Sequence, residues 1–283
     1  MKESESSSDQ SPESSGLRMD FRHHVPLGQT GLMVGRLGIA SGFGVPAASI
    51  EKAFHEYNLN YFFVSFGKRS EMKVALGNLL PGYRDKMIIT LPYFPVDKGL
   101  LLRRTMEGWL RRLNLDVIDV VLLQGVRKPS RQLIDHALKL KEEGKVRFIG
   151  MSSHDRSFFG RIACGELDLP VDLFHIRYNM VHRGAEEDIF PHLPRGNRPG
   201  IVVFTATCWR KPLKANNMPS GETPLTAADC YRFVLSNPNV DVCITGTTNA
   251  RQMEENLTSL AAGPLSGEEM NRVKRIGDHI YGK

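Results

Sequence analysis

Cysteine is scarce in this 283-residue chain. Cys164, Cys208, Cys230 and Cys243 are the only four, and none stand at metal or redox spacing. The thiols therefore read as reduced, as in a cytoplasmic protein. His23 and His24 are adjacent but have no further ligand at metal spacing, so no metal site is expected. No apolar run is long enough to span a bilayer, and no membrane partner is expected. Residues 1–16 lack the apolar stretch of a signal peptide. Basic residues are scattered and form no recognised motif, which argues against nucleic acid. No G-x-G-x-x-G follows the first strand-like run, which argues against a Rossmann fold.

Charge is unevenly placed. The net charge is +6, but residues 1–16 carry Lys2 against Glu3, Glu5, Asp9 and Glu13, so that stretch holds −3 and the remainder +9. With almost no apolar residues, residues 1–18 are expected to be a disordered, acidic, Ser-rich tail. Residues 19–283 are expected to form one domain, and a hydrophobic content of 41% supplies its core. A basic body suits an anionic partner, but on charge alone ordinary solubility is the favoured account.

Short β-rich runs alternate with amphipathic ones. Strands are expected over 36–40, 61–65, 86–91, 117–123, 146–151, 173–178, 201–205 and 242–246. Helices are expected over 48–57, 70–80, 99–113, 131–143, 157–164, 186–193, 226–235 and 250–260, with one more over 266–281. Leu102, Met106, Trp109, Leu110 and Leu113 recur at helical spacing. Ser266 reads as a cap, with Glu268 and Glu269 in the first turn. Residues 23–34 (HHVPLGQTGLMV) read as a hairpin turning at Gln29–Gly31. Eight strand–helix units in series imply a parallel sheet, and that number suits a closed (β/α)8 TIM barrel. The expected class is thus α/β, with an N-terminal β-hairpin and an extra C-terminal helix.

Six stretches in order resemble the aldo-keto reductases, from about Pro26 onward. They are LGQTGLMVGRLGIA, NLNYFFVSFGKRSE, LDVIDVVLLQ, EEGKVRFIGMSS, YNMVHRGAEEDIFPHL and ITGTTNARQMEENL. The resemblance implies a carbonyl-reducing site of Asp, Tyr, Lys and His at the C-terminal rim of the barrel. On these motifs the aspartate falls on Phe63, the tyrosine on Phe66, the lysine on Leu91 and the histidine on Gln124. Three of these side chains cannot move a proton, and the fourth is an amide. Breaking one member of a buried Asp–Lys pair is costly, whereas replacing both with apolar groups is tolerated. Phe63 and Leu91 fit such a joint replacement, which predicts a drier, more apolar floor.

The cofactor half of the resemblance is better kept. It implies that Thr247, after Gly246, and Gln252 face the 2′-phosphate of NADP(H), that Arg251 reaches it, and that Glu255 and Asn256 hold the adenine edge. Ser152 stands where the family serine holds the nicotinamide amide. Ser153 replaces an asparagine there, His175 a glutamine, and Thr205 a stacking aromatic. Arg210, Lys211 and Lys214 are candidates for the pyrophosphate.

Other residues are weighed on their own chemistry. His175 and Arg177 lie two apart on a strand, so both should face the barrel interior while Phe174 and Ile176 pack outward. Such a pair suits an anionic ligand or a structural hydrogen bond. His154 and Asp155 read either as an acid/base pair or, for Asp155, as a helix cap. Tyr93 is a candidate displaced phenol, while His182 and Arg183 sit in a loop where the family arginine is structural. Three functions remain open. One is an NADP(H)-dependent oxidoreductase with altered or residual chemistry. Another is an inactive barrel that senses cofactor or binds a protein partner. The third is a non-redox enzyme built on His154, His175 and Arg177.

Overall fold

In the computed structural model the described residues are 20–65, 71–94, 99–125 and 129–282. The expected tail, residues 1–18, lies outside them, as does Phe66. Strands β1 (Val25–Pro26) and β2 (Met33–Val34) pair antiparallel as the expected hairpin. Eight further strands follow: β3 (Leu37–Ala40), β4 (Tyr61–Phe63), β5 (Ile88–Tyr93), β6 (Ile118–Leu123), β7 (Val146–Ser152), β8 (Leu173–Arg177), β9 (Gly200–Phe204) and β10 (Val242–Thr245). They close into a parallel barrel, with β10 pairing both β9 and β3.

The helices are α1 (Ala47–Tyr57), α2 (Glu71–Tyr83), α3 (Leu102–Leu113), α4 (Arg131–Glu142), α5 (Arg156–Ala163), α6 (Ala185–Asp188), α7 (Ala227–Leu235), α8 (Ala250–Thr258) and α9 (Gly267–Tyr281). Their ends follow local chemistry. Ser266 and Glu269 form a reciprocal capping box at α9, and Asn249 accepts from the Gln252 N–H at α8. The stretch expected as one helix over 186–193 is broken. Helix α6 stops at Asp188, and a 3-10 turn, Phe190–His192, follows with Pro191 in its first turn. Proline has no N–H to continue the ladder, so the two turns do not fuse.

Period-two alternation sorts the strand residues into two layers. Ile39, Phe62, Ile89, Leu91, Val121 and Phe174 pack outward against the helices. Tyr61, Ile88, Val120, Leu173, Val202 and Val242 fill the barrel interior. The hairpin closes the N-terminal end, where Leu27 and Val34 are fully buried in that interior cluster. Leu27 lies so close to Gly200 that a Cβ there would meet its Cδ1 at 2.9 Å. Asp241 fixes this end, accepting from the Gly28 and Ile201 N–H groups and pairing with Arg198. The interior below is therefore filled, and space for a ligand is left at the opposite, C-terminal rim.

Candidate functional site

A cavity of about 1040 Å³ opens at that rim. This is at the upper end of the usual range for cofactor and small-molecule pockets, roughly 300–1,000 Å³. Its wall is built from strand ends and the loops after them. Ala40, Phe63, Ser152, His175, Phe204 and Ile244 come from the strands, and Gln124, His154, Thr205 and Gly246 from just beyond. Six aromatic side chains line it: Phe43, Phe63, Phe94, Phe204, Trp209 and Tyr231. Two of them are largely exposed at the mouth, Phe94 at 63% and Trp209 at 59%.

Among the residues expected to hold a cofactor, Ser152, Ser153, His175, Thr205, Gly246, Thr247, Arg251, Gln252, Glu255 and Asn256 all line this one cavity. Lys214 does not. It is exposed and outside the lining, and Arg210 of the same loop stands there instead. The reason is local backbone. Thr205, Cys208, Trp209 and Arg210 all have positive φ, 62°, 44°, 52° and 67°, so the chain winds left-handed and turns Arg210 and Trp209 to the cavity before Lys214 is reached. Non-glycine residues held there are strained, and such strain clusters at ligand sites.

The residues expected at the adenine side are organised mostly by one another. Gln252 accepts from the Thr248 N–H and hydroxyl, Arg251 pairs with Glu255 at 2.8 Å, and Asn256 donates to Thr245. The Tyr231 hydroxyl also bonds Thr245, at 2.8 Å. Thr247 is different: it is 3% exposed and its hydroxyl has no hydrogen-bond partner among the described residues. A Cβ on Gly246 would meet the Phe43 ring at 2.7 Å, so that ring would have to shift.

The four altered positions separate. Phe63 and Gln124 line the cavity, and Phe66 lies outside the described residues. Leu91 faces away, fully buried between sheet and helices with Ile89 and Tyr93. Its neighbour Thr90 is the residue in register with Phe63. The expected apolar floor made jointly by Phe63 and Leu91 is thus not what the strands build. Tyr93 follows Leu91 outward and is no displaced phenol of the cavity.

The floor instead holds a polar pair that the sequence reading missed. The Tyr61 hydroxyl lies 2.7 Å from His175 Nε2, and both residues are buried. Burial holds the His175 pKa down at about 3 and pushes the Tyr61 phenol up. The ring is therefore neutral at ordinary pH. The tautomer of that neutral ring sets which partner donates in the Tyr61–His175 bond. His175 and Arg177 are not joined in one site. His175 lines the large cavity, whereas Arg177 borders a separate small gap and lies 5.9 Å from the Trp209 ring centroid. Phe174 and Ile176 do pack outward, as alternation requires. Asp155 caps α5 by accepting from the Phe158 N–H, as the cap reading expects. Arg183 pairs with Asp278 at 2.6 Å.

Comparison with known proteins bears on this arrangement. No family model matches the chain. Over 302 residues it is 24% identical to an L-galactose dehydrogenase of Arabidopsis thaliana, covering 88% of this chain and 92% of that protein. Its fold superposes on an aldo-keto reductase of Bacillus halodurans in the holo form, with a TM-score of 0.71 at 19% identity, covering 90% of this chain and 96% of that one. The fold is thus the closed barrel of that reductase. An aldo/keto reductase from Klebsiella pneumoniae in complex with NADP and acetate superposes with a TM-score of 0.67 at 20% identity over 89% of this chain and 94% of that one. Among the described residues, no helix is long and apolar enough to cross a membrane.

Proposed function

We propose that this protein binds NADP(H) in the rim cavity and does not carry out ordinary carbonyl reduction. One observation carries the reading: the cavity joins a well-kept cofactor wall to a wall without the usual proton donor. On the first wall, the buried Thr247 hydroxyl has no hydrogen-bond partner among the described residues and suits an acceptor oxygen of the cofactor. Arg251 and Gln252 stand beside it for the 2′-phosphate, and Glu255 and Asn256 for the adenine edge. Arg210 replaces Lys214 as the cation for the pyrophosphate. Ser152, Ser153 and His175 suit the nicotinamide amide. A nicotinamide cofactor, once bound, supplies a hydride. The related chains solved with NADP or NADPH support this choice of ligand.

On the second wall, Phe63 and Gln124 stand where the resemblance places an aspartate and a histidine. No lysine is among the described lining residues. Tyr231 lines the cavity, but its hydroxyl is bonded to Thr245 on the Asn256 side. A placed general acid is worth roughly 10²–10⁴ in rate. Without one, the same cavity serves a binding or sensing role, and turnover is what separates that role from altered redox chemistry. A non-redox site built on His154, His175 and Arg177 has less support, because Arg177 stands apart from His175 and Asp155 is committed to its cap.

Titration with NADPH and NADH by fluorescence tests the binding claim. NADPH is expected to bind more tightly. Changing Arg251 and Gln252 together to Glu is expected to weaken NADPH much more than NADH. Equal loss for both cofactors contradicts the assignment of that wall.

A further inference from the structure

Beside the large cavity lies a second, smaller gap with a different chemistry. Its wall includes Ser153, His154, Arg156 and Arg177. Ser153 and His154 also line the large cavity, so the two spaces meet at these residues. The gap has a volume of about 10 Å³, which is close to the minimum for one water-sized atom, roughly 10–15 Å³. It is too small for a molecule and large enough for one oxygen of a larger one.

Charge at this gap is not balanced. Arg177 ends β8, is half-buried, and makes no ion pair among the described residues; its plane is held only over Trp209. Arg156, the first residue of α5, uses its Nε on Asp188 at 2.6 Å, and its terminal nitrogens have no partner among the described residues. Its guanidinium lies against the Gly184 backbone, where a Cβ would meet its Cζ at 2.5 Å. Glycine at 184 therefore lets Arg156 lie flat at the gap. Nearby carboxylates are committed: Asp188 to Arg156, Asp155 to the α5 cap, Glu186 to the Tyr178 hydroxyl and Asp278 to Arg183. His182 feels the excess. After burial, the charges of Arg177, Lys211 and Arg156 hold its pKa below the ordinary value. A half-buried cation with no partner is costly, and an anion relieves that cost.

We propose that Arg177 and Arg156, with Ser153 and His154, form a seat for the oxyanionic end of the molecule whose body occupies the large cavity. The class is an aromatic or otherwise apolar compound that ends in a carboxylate, phosphate or sulfate. The aromatic wall of Phe43, Phe63, Phe94, Phe204 and Trp209 takes the body, and the planar forks of the two arginines take the oxygens. The seat rests on the large cavity being a ligand site and is independent of which cofactor fills its Gly246 side.

Trp209 is a built-in reporter, because it faces the large cavity and covers Arg177. In a Trp109→Phe background it is the single indole. The probes are phenyl phosphate, phenol and inorganic phosphate, each titrated with and without saturating NADPH. Phenyl phosphate is expected to quench Trp209 and to bind about tenfold to a hundredfold more tightly than phenol. Arg177→Gln and Arg156→Gln should each remove most of that preference while thermal melts stay cooperative. Arg177→Lys should keep part of it, since the charge remains and the fork does not. Equal binding of phenol and phenyl phosphate overturns the proposal, as does an unchanged preference in Arg177→Gln. Inorganic phosphate binding as tightly as phenyl phosphate overturns the claim that the anion belongs to the cavity's occupant. Competition between NADPH and phenyl phosphate overturns it too, by giving the seat to the cofactor. If NADPH fails to bind but the phenyl phosphate preference holds, the seat stands and the cofactor reading falls.

Discussion

Tyr61 and His175 are 114 residues apart in sequence and 2.7 Å apart in space. Each satisfies a polar atom that the other would otherwise leave bare in the barrel interior. Tyr61→Phe keeps the ring and removes the hydroxyl, so His175 Nε2 loses its partner. The expected cost is about 1–3 kcal/mol, read as a lower urea midpoint with an unchanged slope. An unchanged midpoint means that the pair contributes nothing to stability. The same pair makes a prediction about acid. The His175 pKa falls from 6.5 to about 3 on folding, because burial disfavours the charged ring. Below pH 6.5 the unfolded chain takes up a proton that the native state refuses. Its contribution is therefore fully present above pH 6.5 and is lost as pH falls toward 3. One such group gives a slope of at most about 1.4 kcal/mol per pH unit. Above about pH 5.5 histidines dominate the slope, since depressed carboxylates such as Glu143 and Glu269 contribute only as pH nears their ordinary value of 4.5. His182 shifts in the same direction and keeps part of the slope. Denaturant unfolding of His175→Gln across this pH range should show a shallower dependence than the parent chain; an identical slope removes His175 from the account.

Strand β5 shows where sequence reading reaches and where it stops. Its existence is plain in KMIITL, and its pairing follows from the strand–helix alternation. Its phase is not plain, because both faces are buried and every position from Met87 to Leu91 suits either one. Motif matching set Leu91 at the lysine position, yet the register sets Thr90, not Leu91, beside Phe63. Leu91→Lys tests this placement. A lysine there enters the apolar layer under the helices, so the variant should lose several kcal/mol in chemical denaturation. It should gain no carbonyl reductase activity. A stable, more active variant would show that Leu91 points into the cavity. The loop after β9 was legible only as a basic segment. Its left-handed turn at Thr205 and Cys208–Arg210 decides which cation faces inward, and nothing in Thr, Cys, Trp or Arg announces positive φ.

At the scale of the whole molecule, the barrel was readable because eight amphipathic units in series leave few ways to bury their faces. That the residues expected for a cofactor share one cavity was readable in part because several fall close together, from Gly246 to Asn256. The opposite wall was not, since it is assembled from Phe43, Phe94, Phe204 and Trp209, which come from four separate loops or strand ends. The Tyr61–His175 pair was invisible for the same reason: nothing local in either strand points to the other. What the assembled cavity claims is a retained cofactor site beside a wall without the usual acid. The most direct test is one cuvette of protein titrated with NADPH by fluorescence to saturation, then given a panel of simple aldehydes while NADPH absorbance is followed. The account predicts saturable binding and NADPH oxidation at least about 10²-fold slower than an enzyme with a placed general acid. Brisk aldehyde-dependent oxidation, or no saturable NADPH binding at all, would contradict it.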